Sequence, residues 1–215
     1  MSTDRLIFNK QVDKLHYEFM RYMSKPRWIS LWYQIYEVIK LKPSSVLEIG
    51  LGSGIFKSSI IASKINIETL DFDAALEPDY VSSVLSMPFD SDTYEVVCAF
   101  QVLEHLPYDK SLEAFSEIAR VASKTIIISL PDAARCWPIS IYIPKLGVKN
   151  ILIHLPRFFQ KEHVFDNQHY WELNKKNYAL QKIMHDFSKR APVKLLKSYR
   201  VPDNPYHRFF IYSKI

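Results

Sequence analysis

The segment Val46–Gly54 most constrains the fold, because a short apolar run there ends in an acidic residue and passes into a glycine-rich loop. The chain contains only four glycines, and three of them, Gly50, Gly52 and Gly54, lie in this loop. Glycine weakens regular strands and helices but permits sharp turns and close approach of a ligand to the backbone. The segment therefore predicts a strand that ends in a ligand-binding turn. The alternative is a strand-to-helix turn that binds no ligand.

Apolar segments of strand length alternate with helix and turn signals along the central part of the chain. The predicted strands are Ser45–Ile49, Ile65–Leu70, a short strand near Asp79–Ser82, Glu95–Phe100 and Thr125–Leu130. An amphipathic helix is predicted from Asp109 to Ala122. Strands that alternate with helices form parallel sheets with right-handed crossovers, and such sheets bind ligands outside the carboxyl ends of their strands. Functional residues are therefore expected directly after these strands.

The N-terminal part of the chain predicts two helices. Apolar spacing favours one helix over Asn9–Ser24 and a second over Arg27–Lys40. One face of the second helix is marked by Ile29, Trp32, Tyr33, Tyr36 and Ile39. Both helices are expected to cover a sheet edge or part of a pocket.

The C-terminal part predicts one helix and two strands. Helical spacing extends from Leu180 to Phe187, and two apolar runs follow, Val193–Tyr199 and Arg208–Tyr212. A proline-containing turn separates these runs, which indicates an antiparallel strand pair that completes the sheet.

Composition restricts the class of protein. A length of 215 residues with 48% hydrophobic and 24% charged content suits one globular α/β domain. The two cysteines, Cys98 and Cys136, lack the spacing of a zinc site or a disulfide framework, which is typical of a reducing compartment. There is no apolar signal core and no apolar run long enough to span a bilayer, so we expect a cytoplasmic protein. The net charge of +5 only mildly favours anionic partners.

The acidic residue before the glycines indicates the charge of the ligand. A dinucleotide fingerprint would need glycine at position 55, where Ile55 stands. The Glu48 carboxylate disfavours a pyrophosphate and suits a ligand with ammonium and sulfonium groups, as in S-adenosylmethionine. Asp71 follows the apolar run of the second strand, where a carboxylate accepts hydrogen bonds from ribose hydroxyls. Asp73 is the alternative, but it lies beyond the strand end.

These motifs together resemble the class I S-adenosylmethionine-dependent methyltransferases, in particular the small type 11 methyltransferase domains. The resemblance covers roughly residues 27–132. It is carried by Val46–Gly54, Leu70-Asp71, Met87–Asp90, Val102–Pro107 and Glu117–Val121, in the order of the family. It implies a Rossmann-like α/β fold, with a mostly parallel seven-stranded sheet, helices on both faces and a C-terminal antiparallel strand pair.

The resemblance also implies how the chain is organised. One methyltransferase domain would span residues 1–215. Its parts would be an N-terminal helical cover (1–42), a cofactor-binding core (43–130), a substrate-facing insertion (131–170), and a C-terminal helix and strand pair (171–215).

The cofactor implied by the family is S-adenosylmethionine, with S-adenosylhomocysteine as the product. The predicted cofactor-binding residues are Glu48, Gly50, Gly52, Gly54, Asp71, Ser83, Val84, Leu85 and Gln101. The loop over residues 83–87 would hold the adenine. Many relatives place an aspartate where Ser83 aligns, and serine is a weaker acceptor for the adenine amino group.

The residues that assist the chemistry are expected after the fourth strand. Methyl transfer is an in-line displacement at a carbon activated by positive sulfur, so positioning supplies much of the catalysis. An oxygen acceptor of high pKa would also need a base or a metal. His105 is the candidate general base, with Glu104 beside it. The alternative is that both residues support the helix that follows.

Metal binding is a further alternative for the same region. A related branch, the plant small-RNA 2′-O-methyltransferases, holds a divalent metal with carboxylates and histidines in similar places. Glu104, His105 and His169 would supply mixed oxygen and nitrogen ligands here. Gln101 stands where that branch has a glutamate, which removes one anionic ligand.

The segment from Ala133 to Lys161 contains no acidic residue and is rich in apolar side chains. Its basic residues are Arg135, Lys145, Lys149, Arg157 and Lys161. The hypothesis is a positive, apolar surface for a lipid-linked or phosphorylated substrate, with peripheral contact at the inner face of an anionic membrane. The alternative is a packed lid whose lysines face water.

We therefore predict a methyltransferase that acts on an O or N atom of a small or lipid-linked metabolite, with a saccharide as one candidate. One alternative is a nucleic-acid (RNA) methyltransferase, which the mixed apolar character of the basic segment disfavours. Another is a non-catalytic subunit that binds S-adenosylmethionine.

Overall fold

A seven-stranded sheet forms the centre of the computed structural model, within the described residues 13–156 and 161–215. The strands of the described residues are β1 Ser45–Ile49, β2 Asn66–Asp71, β3 Tyr80–Val81, β4 Tyr94–Phe100, β5 Ala122–Pro131, β6 Cys136–Ile143, β7 Gly147–His154, β8 Val193–Val201 and β9 Asn204–Lys214. Strands β6 and β7 form a separate two-stranded sheet. The sheet order is β3-β2-β1-β4-β5-β9-β8. Strands β1 to β5 run parallel, and β9 pairs antiparallel with both β5 and β8. The predicted fold class is confirmed.

Helices cover both faces of this sheet. They are α1 Phe19–Tyr22, α2 Lys25–Ile39, α3 Ile55–Ala62, α4 Tyr108–Val121 and α5 Leu180–Arg190, with short 3-10 turns at Lys14–Tyr17, Ala74–Leu76 and Leu103–His105. One buried cluster joins α4 and α5 to the sheet, and a second joins α2 and α3 to its other face. Strand β5 contributes Ile126 and Ile128 to the first cluster and Ile127 to the second. Burial on both faces explains why the strands read as continuous apolar runs.

The predicted core strands and the helix after β4 are confirmed, with boundary shifts of at most three residues. The C-terminal strand pair is also confirmed, and both of its strands are longer than predicted. None of the helices in the described parts of the chain is long and apolar enough to cross a membrane.

The predicted N-terminal helix is wrong for the residues that the structure describes, and its first residues, 9–12, lie outside them. Glu18 has an extended backbone, with φ −57° and ψ 137°, and separates a 3-10 turn from α1. The break lets Tyr17 and Tyr22 pack with ring centroids 5.1 Å apart. In a continuous helix, residues five apart would lie about 140° apart around the axis. Aromatic packing therefore outweighs helical continuity here.

The second predicted helix is confirmed as α2, and its predicted apolar face is partly confirmed, because Ile29, Tyr33 and Ile39 pack against the second cluster. Trp32 and Tyr36 are exposed and stack on each other, with ring centroids 5.0 Å apart. The buried residues include Leu31 and Glu37 instead. Glu37 accepts hydrogen bonds from Lys197 at 3.0 Å and from Tyr199 at 2.8 Å, both on β8. Apolar periodicity therefore did not reveal that the buried side of α2 includes a charged residue paired with β8.

The segment between β5 and α5 contains a β-hairpin that the sequence analysis missed. Strands β6 and β7 pair in register from Cys136–His154 to Ile143–Gly147. The alternation of Ile139, Ile141 and Ile143 was an available strand signal. Most side chains of the hairpin are exposed, including several large apolar ones.

Asp132, directly after β5, is a buried carboxylate with several polar partners. Its Oδ2 lies 2.7 Å from Arg208 Nε and 3.6 Å from Arg200 Nε. Its Oδ1 accepts hydrogen bonds from Asn174 Nδ2 and Ala134 N, each at 2.8 Å. One carboxylate therefore connects the end of β5 to β8, β9 and the segment before α5.

Candidate functional site

The glycine loop lies between β1 and α3, at the carboxyl end of β1. Gly50, Gly52 and Gly54 have φ values of 83°, 53° and 70°. Residues other than glycine rarely adopt this left-handed backbone conformation. A Cβ atom at Gly50 would lie 2.7 Å from Val102 Cγ2. Glycine is therefore required there for both backbone conformation and space, and the loop packs directly against the end of β4.

Glu48 lies in β1 just before this loop, and its side chain is buried. Its Oε2 has no hydrogen-bond partner among the described residues. Burial raises the pKa of Glu48 well above its usual value, Asp71 adds to this effect, and Lys57 opposes it. An unsatisfied buried carboxylate oxygen is costly, and a cationic ligand group would satisfy it. Glu48 is suited to hold an ammonium group beneath the loop.

Asp71 ends β2 and lies against the glycine loop. Its Oδ2 accepts a hydrogen bond from Leu51 N at 3.0 Å, and its Oδ1 accepts one from Asp73 N at 2.9 Å. Burial raises the pKa of Asp71, although these backbone donors oppose the shift. A carboxylate has about four acceptor positions, so capacity remains for two hydroxyl donors. The Asp73 carboxylate instead caps Ala75 N at 3.1 Å.

The loop predicted to hold adenine follows β3 and is joined to Asp71 through a hydrogen bond from Ser82 N to Asp71 O at 3.0 Å. Ser83 Oγ accepts from Leu85 N at 3.2 Å, so this hydroxyl stabilises its own turn and retains its donor. Val84 is buried beneath the loop. The contact of these residues with a ligand stays a prediction.

Helix α4 fixes the end of this loop. Glu117 Oε1 accepts from Met87 N at 2.9 Å, and Arg120 Nη1 donates to Phe89 O at 2.7 Å. The Phe89 ring packs between Tyr80 and Tyr94, with centroids 4.8 and 5.2 Å away. The two sequence motifs Met87–Asp90 and Glu117–Val121 are therefore in contact, because side chains of the second bind the backbone of the first.

Gln101 follows β4 with a left-handed backbone, at φ 55°. Its Nε2 donates to Ser129 Oγ on β5 at 3.1 Å, and its backbone N donates to Ser129 O at 3.0 Å. The side chain thus lies along the neighbouring strand. Its predicted cofactor contact would require this hydrogen bond to be shared or broken.

Glu104, His105 and His169 come together beside the loop. One potential ligand atom from each residue lies within 4.8 Å of the others. The rings of His105 and His169 meet edge to face, with centroids 5.1 Å apart. Tyr170 N donates to Glu104 O at 2.8 Å, which fixes the segment that carries His169. The three residues proposed from the sequence therefore form one cluster.

The ionisation of this cluster is strongly perturbed. Burial raises the pKa of Glu104 to about 8, and burial lowers the pKa of His105 to about 4. Burial also opposes protonation of His169, but its hydrogen bond with Glu172 and the charges of Glu104 and Asp166 raise its pKa. The surroundings of His169 therefore favour a positive charge, whereas His105 is a neutral imidazole at neutral pH.

Sequence reasoning missed the residues that enclose this cluster. Tyr206 on β9 donates a short hydrogen bond to Glu172, which also lies 3.3 Å from His169 Nδ1. Burial lowers the pKa of His207 to about 4, and its Nδ1 has no hydrogen-bond partner in the described parts of the chain. The run from His169 to Glu172 was visible in the sequence, but no motif connected it to β9.

The N-terminal turns cover the same region. A Cβ atom at Gly52 would lie 3.6 Å from the Tyr17 ring, so this ring lies over the loop. Burial raises the pKa of Tyr22, and the nearby carboxylates of Glu104 and Glu48 add to the increase. Tyr22 therefore lies close enough to both Glu48 and Glu104 for their charges to affect its ionisation.

Residues 47–128 match the family model described as a methyltransferase domain, of type 11. No curated protein gave a significant match to the sequence.

Solved structures with a similar fold include methyltransferases. The PH0226 protein from Pyrococcus horikoshii OT3 has a TM-score of 0.61 at 12% identity, with 93% of this chain and 95% of that chain covered. An S-adenosylmethionine-dependent methyltransferase from Clostridium acetobutylicum has a TM-score of 0.60 at 6% identity, with 93% and 96% covered. The 1,6-didemethyltoxoflavin-N1-methyltransferase of Burkholderia thailandensis, solved with its substrate and S-adenosylhomocysteine, has a TM-score of 0.58 at 11% identity, with 86% and 78% covered. At these identities the similarity concerns the fold.

Proposed function

We propose that this class I S-adenosylmethionine-dependent methyltransferase methylates an O or N atom of a small or lipid-linked metabolite. The observation that carries the cofactor assignment is the buried Glu48, whose Oε2 lacks a hydrogen-bond partner among the described residues next to a loop of three left-handed glycines. A cationic amino acid end of the cofactor satisfies this oxygen, whereas a pyrophosphate would be repelled by it.

The other cofactor contacts follow from the order of the strands. Asp71 at the end of β2 would accept hydrogen bonds from the ribose hydroxyls through lone pairs that Leu51 N and Asp73 N leave available. The loop over Ser83, Val84 and Leu85 would lie against the adenine, and helix α4 holds that loop in place. The side chain of Gln101 is held by Ser129, so we assign it a supporting role at the site.

The protein supplies position and a dry environment. S-adenosylmethionine, when bound, supplies a methyl group on positively charged sulfur, which needs no covalent intermediate with a side chain. The Tyr17 ring lies over the loop at Gly52. The carboxylates of Glu48 and Glu104 are buried and so are shielded from water. In such an environment, correct alignment of acceptor and methyl carbon supplies much of the rate enhancement.

The nature of the acceptor decides whether a base is needed. A neutral amine or ring nitrogen attacks without prior loss of a proton, whereas a hydroxyl must lose one. Burial lowers the pKa of His105 to about 4, which makes it a weak base for a hydroxyl. The structurally similar Burkholderia enzyme is an N1-methyltransferase by name, which supports nitrogen as one acceptor class.

We expect S-adenosylhomocysteine to raise the melting temperature of the full-length protein, because it binds the folded state. At about 100 times its Kd, a ligand stabilises by about 2.7 kcal/mol, or roughly 5–11 °C for a chain of this size. NAD at the same concentration should leave the melting temperature unchanged. Differential scanning fluorimetry measures both. Equal stabilisation by NAD, or none by S-adenosylhomocysteine, would contradict the cofactor assignment.

The hairpin β6–β7 supports a lipid-linked acceptor. Its exposed apolar residues include Trp137, Tyr142, Leu146 and Val148. Its basic residues Lys145 and Lys149 are also exposed, and the chain between 133 and 161 has no acid to neutralise them. Aromatic and basic side chains together match the interface of an anionic bilayer. Arg157, another basic residue of this segment, lies outside the described residues.

We expect Lys145→Gln/Lys149→Gln to weaken binding to phosphatidylglycerol vesicles. Each lysine near an anionic surface contributes about 1 kcal/mol, so the double variant should bind roughly 30-fold more weakly. Vesicle sedimentation measures the change, and Lys64→Gln/Lys189→Gln, which removes two exposed charges elsewhere, should bind like the wild type. If the two double variants bind alike, the hairpin serves as a lid and not as a membrane contact.

A further inference from the structure

The cluster of Glu104, His105 and His169 has the composition and geometry of a metal site. Two of the residues lie in the 3-10 turn Leu103–His105 after β4, and the third lies in the segment before α5. Their ligand atoms are mutually within 4.8 Å. An ion at the centre of such a triangle would lie within bonding reach of all three after small side-chain adjustments.

Glu104 supplies an independent reason to expect a cation. Its side chain is 0% exposed. Neither of its carboxylate oxygens has a hydrogen-bond partner among the described residues, although buried polar atoms are nearly always paired. The other buried acid after a core strand, Asp132, is by contrast surrounded by two guanidinium groups and two further donors. Glu104 therefore lacks the hydrogen-bond donors that this fold gives to another buried acid.

The two histidines are oriented as metal ligands usually are. His105 Nδ1 lies 3.0 Å from Gln168 O, and His169 Nδ1 lies 3.3 Å from Glu172 Oε1. A ring nitrogen that donates to a carbonyl or carboxylate fixes the tautomer whose lone pair is on Nε2. Ligating histidines commonly have such a second partner, which also holds the ring in place. Glu172 is itself held by Tyr206.

We propose that Glu104, His105 and His169 bind one divalent transition-metal ion beside the glycine loop. One carboxylate with two imidazoles suits zinc, manganese or iron(II) better than magnesium or calcium, which prefer oxygen ligands. Three protein ligands leave coordination positions open, as in catalytic and not structural metal sites.

A second group, Asp166, His169 and Glu172, shares one histidine with this site. Its carboxylates are already occupied, because Asp166 Oδ1 accepts from Gln168 N and His169 N at 3.0 and 2.7 Å, and Glu172 accepts from Tyr206. These residues therefore position His169, and the ion belongs with the unsatisfied Glu104.

The proposed ion deepens the proposed function, on which this consequence rests, by indicating an acceptor that carries a hydroxyl group. A divalent cation lowers the pKa of an oxygen that it contacts and so assists loss of the hydroxyl proton. In the balanced step, the acceptor oxygen bonds to the methyl carbon and the carbon–sulfur bond breaks with its electron pair passing to sulfur. The hydroxyl proton leaves to solvent.

The test is direct metal binding by the full-length protein after dialysis against a chelator. We expect Co²⁺, used as a spectroscopic probe, to give visible absorption bands that saturate at one ion per chain, and Zn²⁺ to compete for the same site. Glu104→Gln keeps the size and neutral polarity of the protonated side chain, and His169→Ala removes a nitrogen ligand. Each should weaken Co²⁺ binding at least about 10-fold to 100-fold.

Matched controls are Glu113→Gln and His185→Ala, which change exposed residues of the same types and should bind Co²⁺ like the wild type. S-adenosylhomocysteine should stabilise Glu104→Gln as much as the wild type, so loss of metal binding and loss of cofactor binding are separable. The proposal is overturned if the wild type takes up less than half an ion per chain. It is equally overturned if Glu104→Gln binds Co²⁺ as tightly as the wild type.

Discussion

Asp71→Ala should lower the affinity for S-adenosylhomocysteine by at least about 100-fold. Hydrogen bonds to a charged group contribute about 1.5–3 kcal/mol each, so two ribose hydroxyls correspond to about 3 kcal/mol or more. The substitution also removes the acceptor for Leu51 N and so loosens the glycine loop. Isothermal titration calorimetry of wild type and variant measures the difference.

Asp73→Ala is the matched control, since it removes an acid two residues away that caps a 3-10 turn. It should bind S-adenosylhomocysteine within a few-fold of the wild type. Melting of each apoprotein separates a loss of fold from a loss of affinity. If Asp73→Ala loses affinity and Asp71→Ala does not, the ribose assignment is wrong.

Asp132→Ala should lower the free energy of unfolding by about 3–5 kcal/mol, which is typical when one partner of a buried ion pair is removed. Arg200 and Arg208 would retain their charges at positions that are 3% and 12% exposed. For a chain of this length, the loss corresponds to roughly 6–20 °C in melting temperature. Urea denaturation followed by circular dichroism measures it.

Glu162→Ala provides the comparison for an exposed ion pair. Glu162 pairs with Lys176 in the same part of the chain, but both side chains are more than half exposed. Its removal should change the free energy of unfolding by less than about 1 kcal/mol. Similar losses for Asp132→Ala and Glu162→Ala would show that Asp132 does not anchor β5 to β8 and β9.

The residues predicted to bind the cofactor lie at one edge of the sheet because they follow one another closely in the sequence. Glu48 lies in β1, the three glycines follow in the next turn, and Asp71 ends the next strand. The sequence did not reveal that Asp71 also holds the loop through Leu51 N. It also did not reveal that Glu117 and Arg120 clamp the loop after β3, because those contacts cross about thirty residues.

The N-terminal cover shows where periodicity fails. Apolar spacing predicted a continuous helix and an apolar face of α2, yet the chain breaks at Glu18 and α2 buries Glu37. Both outcomes depend on partners distant in sequence, the glycine loop for Tyr17 and β8 for Glu37. Local patterns contain no information about such partners.

By itself, the sequence determined the parallel sheet, the position of its ligand edge and the charge of the cofactor, because strand periodicity and glycine conformation are local properties. Only the tertiary structure decided which residues surround Glu104. His105 meets the segment of His169 across 63 residues, and Glu172 meets Tyr206 across 34. It was also folding that left both oxygens of Glu104 buried without a partner among the described residues. Burial and hydrogen-bond pairing depend on tertiary packing, and they identify Glu104 as a candidate metal ligand.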